Sequence, residues 1–422
     1  MRKLLKYLQK WYTIYTKKQT ILKKDKALKR FVYADNAATT PVSRQVTEAM
    51  LPCFGELWGN PSSLHAKGRE AKAVLDEARA RIASVLGASA DEIYFTSSGS
   101  ESDNWAIKGA AMRMRAKGRD HIITSKIEHH AVLHTCKALE KDGFRVSYIG
   151  VDADGVIDLD ELRRVINDKT ALVAIMYANN EIGTIEPIEE ITEIAHGAGA
   201  LMFTDAVQAV GNVDIDLSKL RVDMLSLSGH KLHAPKGIGA LFIRKGVLIN
   251  NLIDGSGQEK RKRGGTENLP YIVGLAKALE IAKERMPELK RVEMMRDRLI
   301  EGLEKIPYSK LNGHRTNRLP GTVNIGFEFI EGESLLLWLD IAGIAASTGS
   351  ACSSASLEPS HVLIATGVPH EKAHGSLRLS LSYDNTDEDV DYILENVPAI
   401  VEKLRNMSPL WEDVVKKNGQ TV

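Results

Sequence analysis

The sequence predicts an α/β fold: a mainly parallel sheet in a large domain, followed by a smaller α+β domain. Short β-rich runs alternate with helical patterns from Tyr33 onward, the signature of βαβ units. Polar residues gather where those runs end, which is where an open α/β sheet places its chemistry. Two long charged helical stretches, about 271–285 and 287–305, then separate this alternation from a second set of strands and helices.

Taken in order, residues 66–86, AKGREAKAVLDEARARIASVL, space their apolar positions along one helix face, and Gly87 stops them. The β-rich runs follow at Ile93 to Phe95, His121 to Thr124, Val146 to Val151, Ala171 to Tyr177, Leu201 to Thr204, Met224 to Leu227 and Ala240 to Ile243. Beyond the two charged helices come TVNIGF, ESLLLWLDIAG, SLRLSLS and DEDVDYILENVPAIVEKLR. The boundary between the two parts falls near residue 285, and no internal repeat is visible.

The 422 residues are 43% apolar and 26% charged, a globular composition. No apolar run approaches the ~18 residues that cross a bilayer, and the start lacks an apolar stretch before a small-residue cleavage site. The cytoplasm is therefore the expected compartment. Three cysteines, Cys53, Cys136 and Cys352, make neither a disulfide framework nor a paired metal-ligand spacing. The net charge of +1 hides an asymmetry, because residues 1–30 hold eleven Lys or Arg and one acid, Asp25. The remainder has 45 basic against 54 acidic residues and is formally −9, so direct nucleic-acid binding is not expected. The basic leader reads either as an amphipathic helix on an anionic surface or as a disordered tail.

Five segments carry candidate chemistry. In TSSGSESDNW, residues 96–105, Gly and Ser between strand and helix leave backbone N–H groups and hydroxyls suited to a phosphate. An ordinary N-cap with Glu101 in the first turn explains the same residues. In KIEHHAVLHTC, residues 126–136, His129 and His130 sit where a strand gives way to a helix, and an imidazole there can stack on a ring or move protons. His130 and His134 are one turn apart, but no Glu or Cys completes a metal motif. In YANNEIGTIEPI, residues 177–188, Asn179 and Asn180 offer amides at a strand end, and turn chemistry accounts for them equally. In FTDAVQAVG, residues 203–211, Asp205 ends an apolar strand, where an unpaired carboxylate is costly and needs a cation. Gln208 points to the same side if the chain turns helical there.

The fifth segment, DMLSLSGHKLHAPKGIG at 223–239, runs from a buried strand into Ser228, Gly229, His230 and Lys231. A phosphate cradle, a strand-end aspartate, a strand-end lysine and a planar stacking group together describe a pyridoxal phosphate site.

These motifs closely resemble the cysteine desulfurases of the NifS/IscS type, pyridoxal-phosphate enzymes of the aspartate-aminotransferase fold. The resemblance rests on YADNAATTP, GNPSSLHAKG, TSSGSESDN, EHHAVLHTC, NNEIGTIEPI, DAVQAVG, SLSGHKLHAPKGIGAL, GGTENLP, STGSACSSASLEPSHVL and SLRLSLS, in order from about residue 31 to 412. It implies a fold type I architecture with a seven-stranded, mainly parallel sheet. It implies an extension at 1–30, expected to be flexible, a large cofactor-binding domain at 40–285, and a small domain from 31–39 and 286–422 carrying the catalytic-cysteine loop. Lys231 would carry pyridoxal 5'-phosphate, Asp205 would pair with the pyridine nitrogen, and Gln208 would bond the ring hydroxyl. His129 would stack on the ring and shuttle protons, while Gly99, Ser100, Ser228 and His230 would hold the phosphate with Thr266 from the other subunit of a homodimer. Asn180 would lie beside cofactor and substrate, and Arg378 would clamp the carboxylate of L-cysteine, a task suited to a bidentate guanidinium.

Cys352 separates the related chemistries. It lies in STGSACSSAS, a run of small polar residues unlike a core strand, where an exposed loop can carry a reactive thiol. Cys53 and Cys136 lie in apolar helical patterns and read as inert. The resemblance therefore implies a sulfur-transfer enzyme that forms alanine and a Cys352 persulfide for a protein acceptor such as an iron–sulfur scaffold. The loop has the extended form, not the short one of the selenocysteine-lyase-like branch. Rival readings are another pyridoxal-phosphate enzyme of this fold and a non-catalytic sulfur-acceptor or scaffold-binding protein. Departures are few: Ser98 and Ser100 replace a Gly or Ala and a Thr, and Ala234 stands where glycine is usual, a change that matters only if that position needs positive φ.

Overall fold

The computed structural model describes residues 30–348 and 358–412. Its strands are β1 (Val32–Tyr33), β2 (Ile93–Thr96), β3 (His121–Ser125), β4 (Arg145–Ile149), β5 (Thr170–Ala174), β6 (Leu201–Asp205), β7 (Met224–Ser228), β8 (Gly239–Ile243), β9 (Ser309–Leu311), β10 (Thr322–Phe327), β11 (Ile344–Ala345) and β12 (Ser376–Ser380). The helices that matter here are α1 (Ala66–Leu86), α2 (Gly99–Arg115), α3 (His130–Lys141), α4 (Leu269–Glu284), α5 (Leu289–Leu303), α6 (Gly332–Ala342) and α7 (Asp387–Asn406).

Seven strands form one sheet in the order β2-β8-β7-β6-β5-β3-β4. Only β8 opposes the rest: it pairs antiparallel with both β2 and β7, so those two run the same way. Every residue of β5 and β7 is buried, as expected of strands covered on both faces. Successive residues serve opposite faces. Ile123 and Val173 join a core with Leu75 and Ile82 of α1 and Leu275 of α4. Ile122 and Leu172 pack instead with Trp105 of α2 and Cys136 of α3.

Helix α1 ends where Gly87 takes the left-handed conformation at φ 69°, so the stop read from the sequence is a backbone requirement. The apolar run expected to reach Tyr177 leaves the sheet after Ala174. From there Ile175 and Tyr177 donate to the carbonyls of Phe203 and Asp205, carrying the chain along β6 toward the loop at 178–186.

A second core gathers α5, α6, α7 and two smaller sheets: Val292 and Leu299, Leu335 and Leu339, Val390 and Val397 pack against Val323, Ile325 and Leu379. Strands β12, β10 and β9 make an antiparallel sheet, and β1 pairs parallel with β11. A bridge between Asp35 and Ser380 sets the segment entering the large sheet beside β12.

Candidate active site

Strands β2, β3, β5, β6 and β7 all point the same way, so the loops leaving their C-terminal ends meet on one edge of the sheet. There they enclose a cavity of about 410 Å³, within the ~300–1,000 Å³ typical of small-molecule sites.

Lys231 follows β7 by three residues, at the end of a short 3-10 turn, and its Nζ lies in the cavity. The amine donates to the carbonyls of Ala37 and, at 2.8 Å, Ala38. These acceptors come from YADNAATTP, whose hold on the lysine is through backbone and so left no side-chain signal. Gln208 Nε2 donates to the same Ala37 carbonyl at 3.0 Å. Ser228, the last residue of β7, and His230 line the cavity beside the lysine. Burial and then the Lys231 charge push His230 down to about 4, and its Nδ1 lies 3.2 Å from Thr39 Oγ1. This imidazole is neutral at neutral pH.

Asp205 is the last residue of β6 and is 6% exposed. Its Oδ1 accepts the Val207 N–H at 2.9 Å. Burial raises its pKa, and the nearby His129 opposes that rise. His129 is the N-cap of α3, its Nδ1 accepting the Ala131 N–H at 3.1 Å. In the neutral ring the proton therefore sits on Nε2.

Gly99 and Ser100 open α2, and their N–H groups, at the first positions of a helix, have no intrahelical acceptor. Ser98 caps the helix by accepting Glu101 N–H at 3.1 Å. Glu101 turns away to Ser97 and to Arg263, 2.8 Å off, leaving the helix start clear for an anion. The cap reading therefore holds for Ser98, while the N–H groups of Gly99 and Ser100 stay outside it.

The two asparagines divide in the same way. Asn179 is fully buried and shapes the turn, with Oδ1 accepting Glu181 and Ile182 N–H at 2.8 and 3.0 Å while Gly183 takes φ 82°. Asn180 lines the cavity, and its carbonyl accepts Arg378 Nη1 at 3.0 Å. Arg378 is 2% exposed on β12. Its Nη2 donates to Asp35 Oδ1 at 2.9 Å, while Nε has no hydrogen-bond partner among the described residues.

Thr266 lies elsewhere, exposed in a separate cavity of about 220 Å³ with Ser97, Arg263 and Glu267. The chain reaches it through a left-handed turn, with φ 44°, 57° and 67° at Glu259, Lys260 and Arg261. The buried bidentate pair Arg79–Glu259, at 2.8 and 2.7 Å, anchors that turn. Ala234 has no positive φ; its neighbour His233 does, at 58°. Alanine is therefore compatible with its backbone. Cys352 lies outside the described residues. Cys53 and Cys136 are buried thiols, and burial pushes Cys136 up to about 12, which keeps it inert.

Sequence reasoning missed several cavity residues. Asp103 is buried one turn into α2, and Glu181 accepts a hydrogen bond from Ser360. His361 Nε2 donates to the Glu128 carbonyl oxygen at 3.0 Å, and its ring packs 4.8 Å from that of His130. A buried acid one helical turn beyond a glycine was the available signal for Asp103.

Pyridoxal phosphate fits this donor set: an amine, a buried carboxylate and a flat imidazole on the same cavity, and a helix start with hydroxyls for a phosphate.

A family described as Aminotransferase class-V matches residues 32–393. The chain is 61% identical over 380 residues to a cysteine desulfurase IscS of Methanosarcina thermophila, covering 90% of this chain and 94% of that one. A cysteine desulfurase IscS of Clostridium botulinum (strain Hall) is 54% identical over 393 residues, covering 92% and 99%. A solved structure described as a NifS-like protein superposes with a TM-score of 0.84 at 43% identity, over 89% of this chain and 100% of its own.

Proposed function

The chain belongs to the aminotransferase class-V family, and we propose that it works as a cysteine desulfurase, taking sulfur from L-cysteine to give L-alanine and a persulfide on Cys352. The observation that carries this reading is the convergence of Lys231, Asp205, His129 and Arg378 on one cavity.

Lys231, Asp205, Gln208 and His129 would hold the cofactor ring, and Gly99, Ser100, Ser228 and His230 its phosphate. When bound, pyridoxal phosphate supplies an electron sink for the pair left behind when the substrate loses its Cα proton. Arg378, gripped through both terminal nitrogens, presents a preformed fork to the substrate carboxylate, with Asn180 beside it. Lys231 Nζ would take the Cα proton, and His129 Nε2 would move protons within the cavity. At Cys352 the thiolate sulfur bonds the substrate sulfur as the C–S bond breaks. The electron pair of that bond stays on carbon, which gains a proton to become the alanine methyl group. The persulfide then passes to a protein acceptor for iron–sulfur clusters or other sulfur-containing products.

The remaining parts of the reading have their own support. The separate core around Val323, Leu335 and Val390 supports a small domain from 31–39 and 286–422 beside a large one at 40–285. Leu51, Phe54, Trp58 and Leu64 expose 60% or more of their surface within one short stretch. Such an apolar patch suits the face of a homodimer, with Thr266 of each subunit serving the other. A cytoplasmic location suits a chemistry that depends on reduced thiols. Among the described residues no helix is long and apolar enough to cross a membrane.

The test is sulfide and alanine release from L-cysteine with a thiol reductant, for the wild type and Cys352→Ala, while the visible absorption of the bound cofactor is recorded. Equal yields from the wild type, lost in a variant that keeps its absorption, support the reading. Full activity in the variant, or alanine without sulfide, reduces it to a general pyridoxal-phosphate enzyme.

A further inference from the structure

Asp103 has no part in the chemistry above, yet it lies beside its centre. It sits one turn into α2, and its carboxylate, that of Asp205 and the His129 ring each bring one atom within 4.8 Å of the others. The two carboxyls are 1% and 6% exposed. Two carboxylates this close, out of water, are not both ionised unless each has its own cation; otherwise the pair holds a proton.

The surroundings decide which one holds it. Asp205 accepts the Val207 N–H at 2.9 Å and faces His129 and Lys231, both of which favour its anion. Among the described residues Asp103 Oδ1 accepts a neutral hydroxyl, Ser226 Oγ at 2.6 Å, and a third buried carboxyl, Glu128, faces it. Burial, and then the Asp205 charge, push Asp103 well above the usual carboxylate range, whereas His129, the Val207 N–H and Lys231 restrain Asp205.

We propose that Asp103 is a positioning residue acting as a neutral acid: it carries the proton of the pair, leaves Asp205 as the anion, and with Ser226 fixes that anion toward the bound cofactor's ring nitrogen. The cofactor half of this statement rests on the proposed function, and the protonation half does not. A protonated ring nitrogen brings one positive charge, which one carboxylate neutralises. A second anion at Asp103 would have no counterpart.

The experiment is infrared spectroscopy of the full chain near pH 7, with aspartate carrying ¹³C at its side-chain carboxyl so that buried glutamates such as Glu128 do not overlap. Apo and cofactor-loaded protein are compared for the wild type, Asp103→Asn and Asp103→Ser. The expected result is one protonated aspartate band in the wild type, in both forms, absent from both variants. In the loaded enzyme Asp103→Asn, which keeps shape and neutrality, should outperform Asp103→Ser by about ten- to hundredfold in cofactor affinity, the size of one hydrogen bond to a charged group. Absence of a protonated band, its survival in Asp103→Asn, or equal damage in the two variants overturns the proposal. If neither variant folds, the wild type decides alone: a band that survives cofactor loading supports Asp103 as its source, and a band lost on loading does not. Failure of borohydride to fix cofactor on Lys231 would instead remove the proposed function, leaving the apo spectrum to decide the protonation.

Discussion

Arg378 Nη2 donates to Asp35 Oδ1 at 2.9 Å, joining β12 to the segment whose carbonyls hold Lys231. One ion pair therefore couples the candidate carboxylate clamp to the candidate cofactor lysine. Asp35→Ala strands a guanidinium that is 2% exposed, and breaking a buried pair costs about 3–5 kcal/mol. Because the Asp35 side chain is 20% exposed, the lower end, about 3 kcal/mol, is expected from urea unfolding. The KM for cysteine should rise more than kcat falls, since the fork loses its orientation. Arg378→Lys should raise KM by about tenfold or more, because an ammonium cannot make the bidentate contact.

Gly99 is required by space. A Cβ built there would lie 2.6 Å from Val207 Cγ2. Gly99→Ala should displace Val207, whose N–H Asp205 accepts, and lower stability by about 1–3 kcal/mol. A fluorescence titration with pyridoxal phosphate should show weakened binding at the distorted helix start. Unchanged affinity would show that the phosphate is held elsewhere.

Stability should pass through a maximum with pH. Burial raises Glu186 to about 8, and its Oε1 has no partner among the described residues. The folded chain binds this proton more tightly than the unfolded chain, so unfolding releases it and stability falls as pH rises from about 4.5 to about 8. His230, held near 4, has the opposite sign: unfolding takes up a proton, and stability falls as pH drops from about 6.5 to about 4. Denaturant midpoints across this range should show both limbs. Glu186→Gln should flatten the alkaline limb and gain at least about 1.4 kcal/mol near its upper end, the worth of one pH unit.

The turn at 259–261 holds three side-chain-bearing residues at positive φ, each unfavourable by about 1–2 kcal/mol. Glu259 opposes this through Arg79 and through the Phe95 N–H at 2.8 Å. Glu259→Ala should cost about 3–5 kcal/mol. It should also loosen the stretch leading to Thr266, seen as faster amide exchange over residues 259–268. Arg261→Gly, which relieves strain without touching the pair, should stabilise by a few tenths to about 1 kcal/mol.

Much of this protein was legible in its sequence because the signals are local. Apolar runs of three to seven residues became strands β2 to β8, with most ends within one or two residues, since burial on both faces selects such runs. Residues at strand ends, Asp205 and Lys231 above all, reached the cavity because parallel strands bring their C-terminal ends to one edge. The run at 171–177 was read too long, since an apolar sequence does not say where a buried chain stops pairing.

By itself, then, the sequence determined the order of elements, the edge where the chemistry gathers and the residue types that gather there, all of which follow from period and burial over short windows. Tertiary structure alone decided how those residues are held. Arg378 and Asp35 are 343 positions apart, Lys231 is fixed by backbone carbonyls that no side-chain pattern reveals, and Asn179 and Asn180 divide into turn former and cavity wall. The charge state of Asp103 follows from its distance to Asp205, across 102 positions of chain. Proximity of that kind arises only when the sheet closes, because hydrogen bonds and charge coupling depend on separation in space and not along the chain.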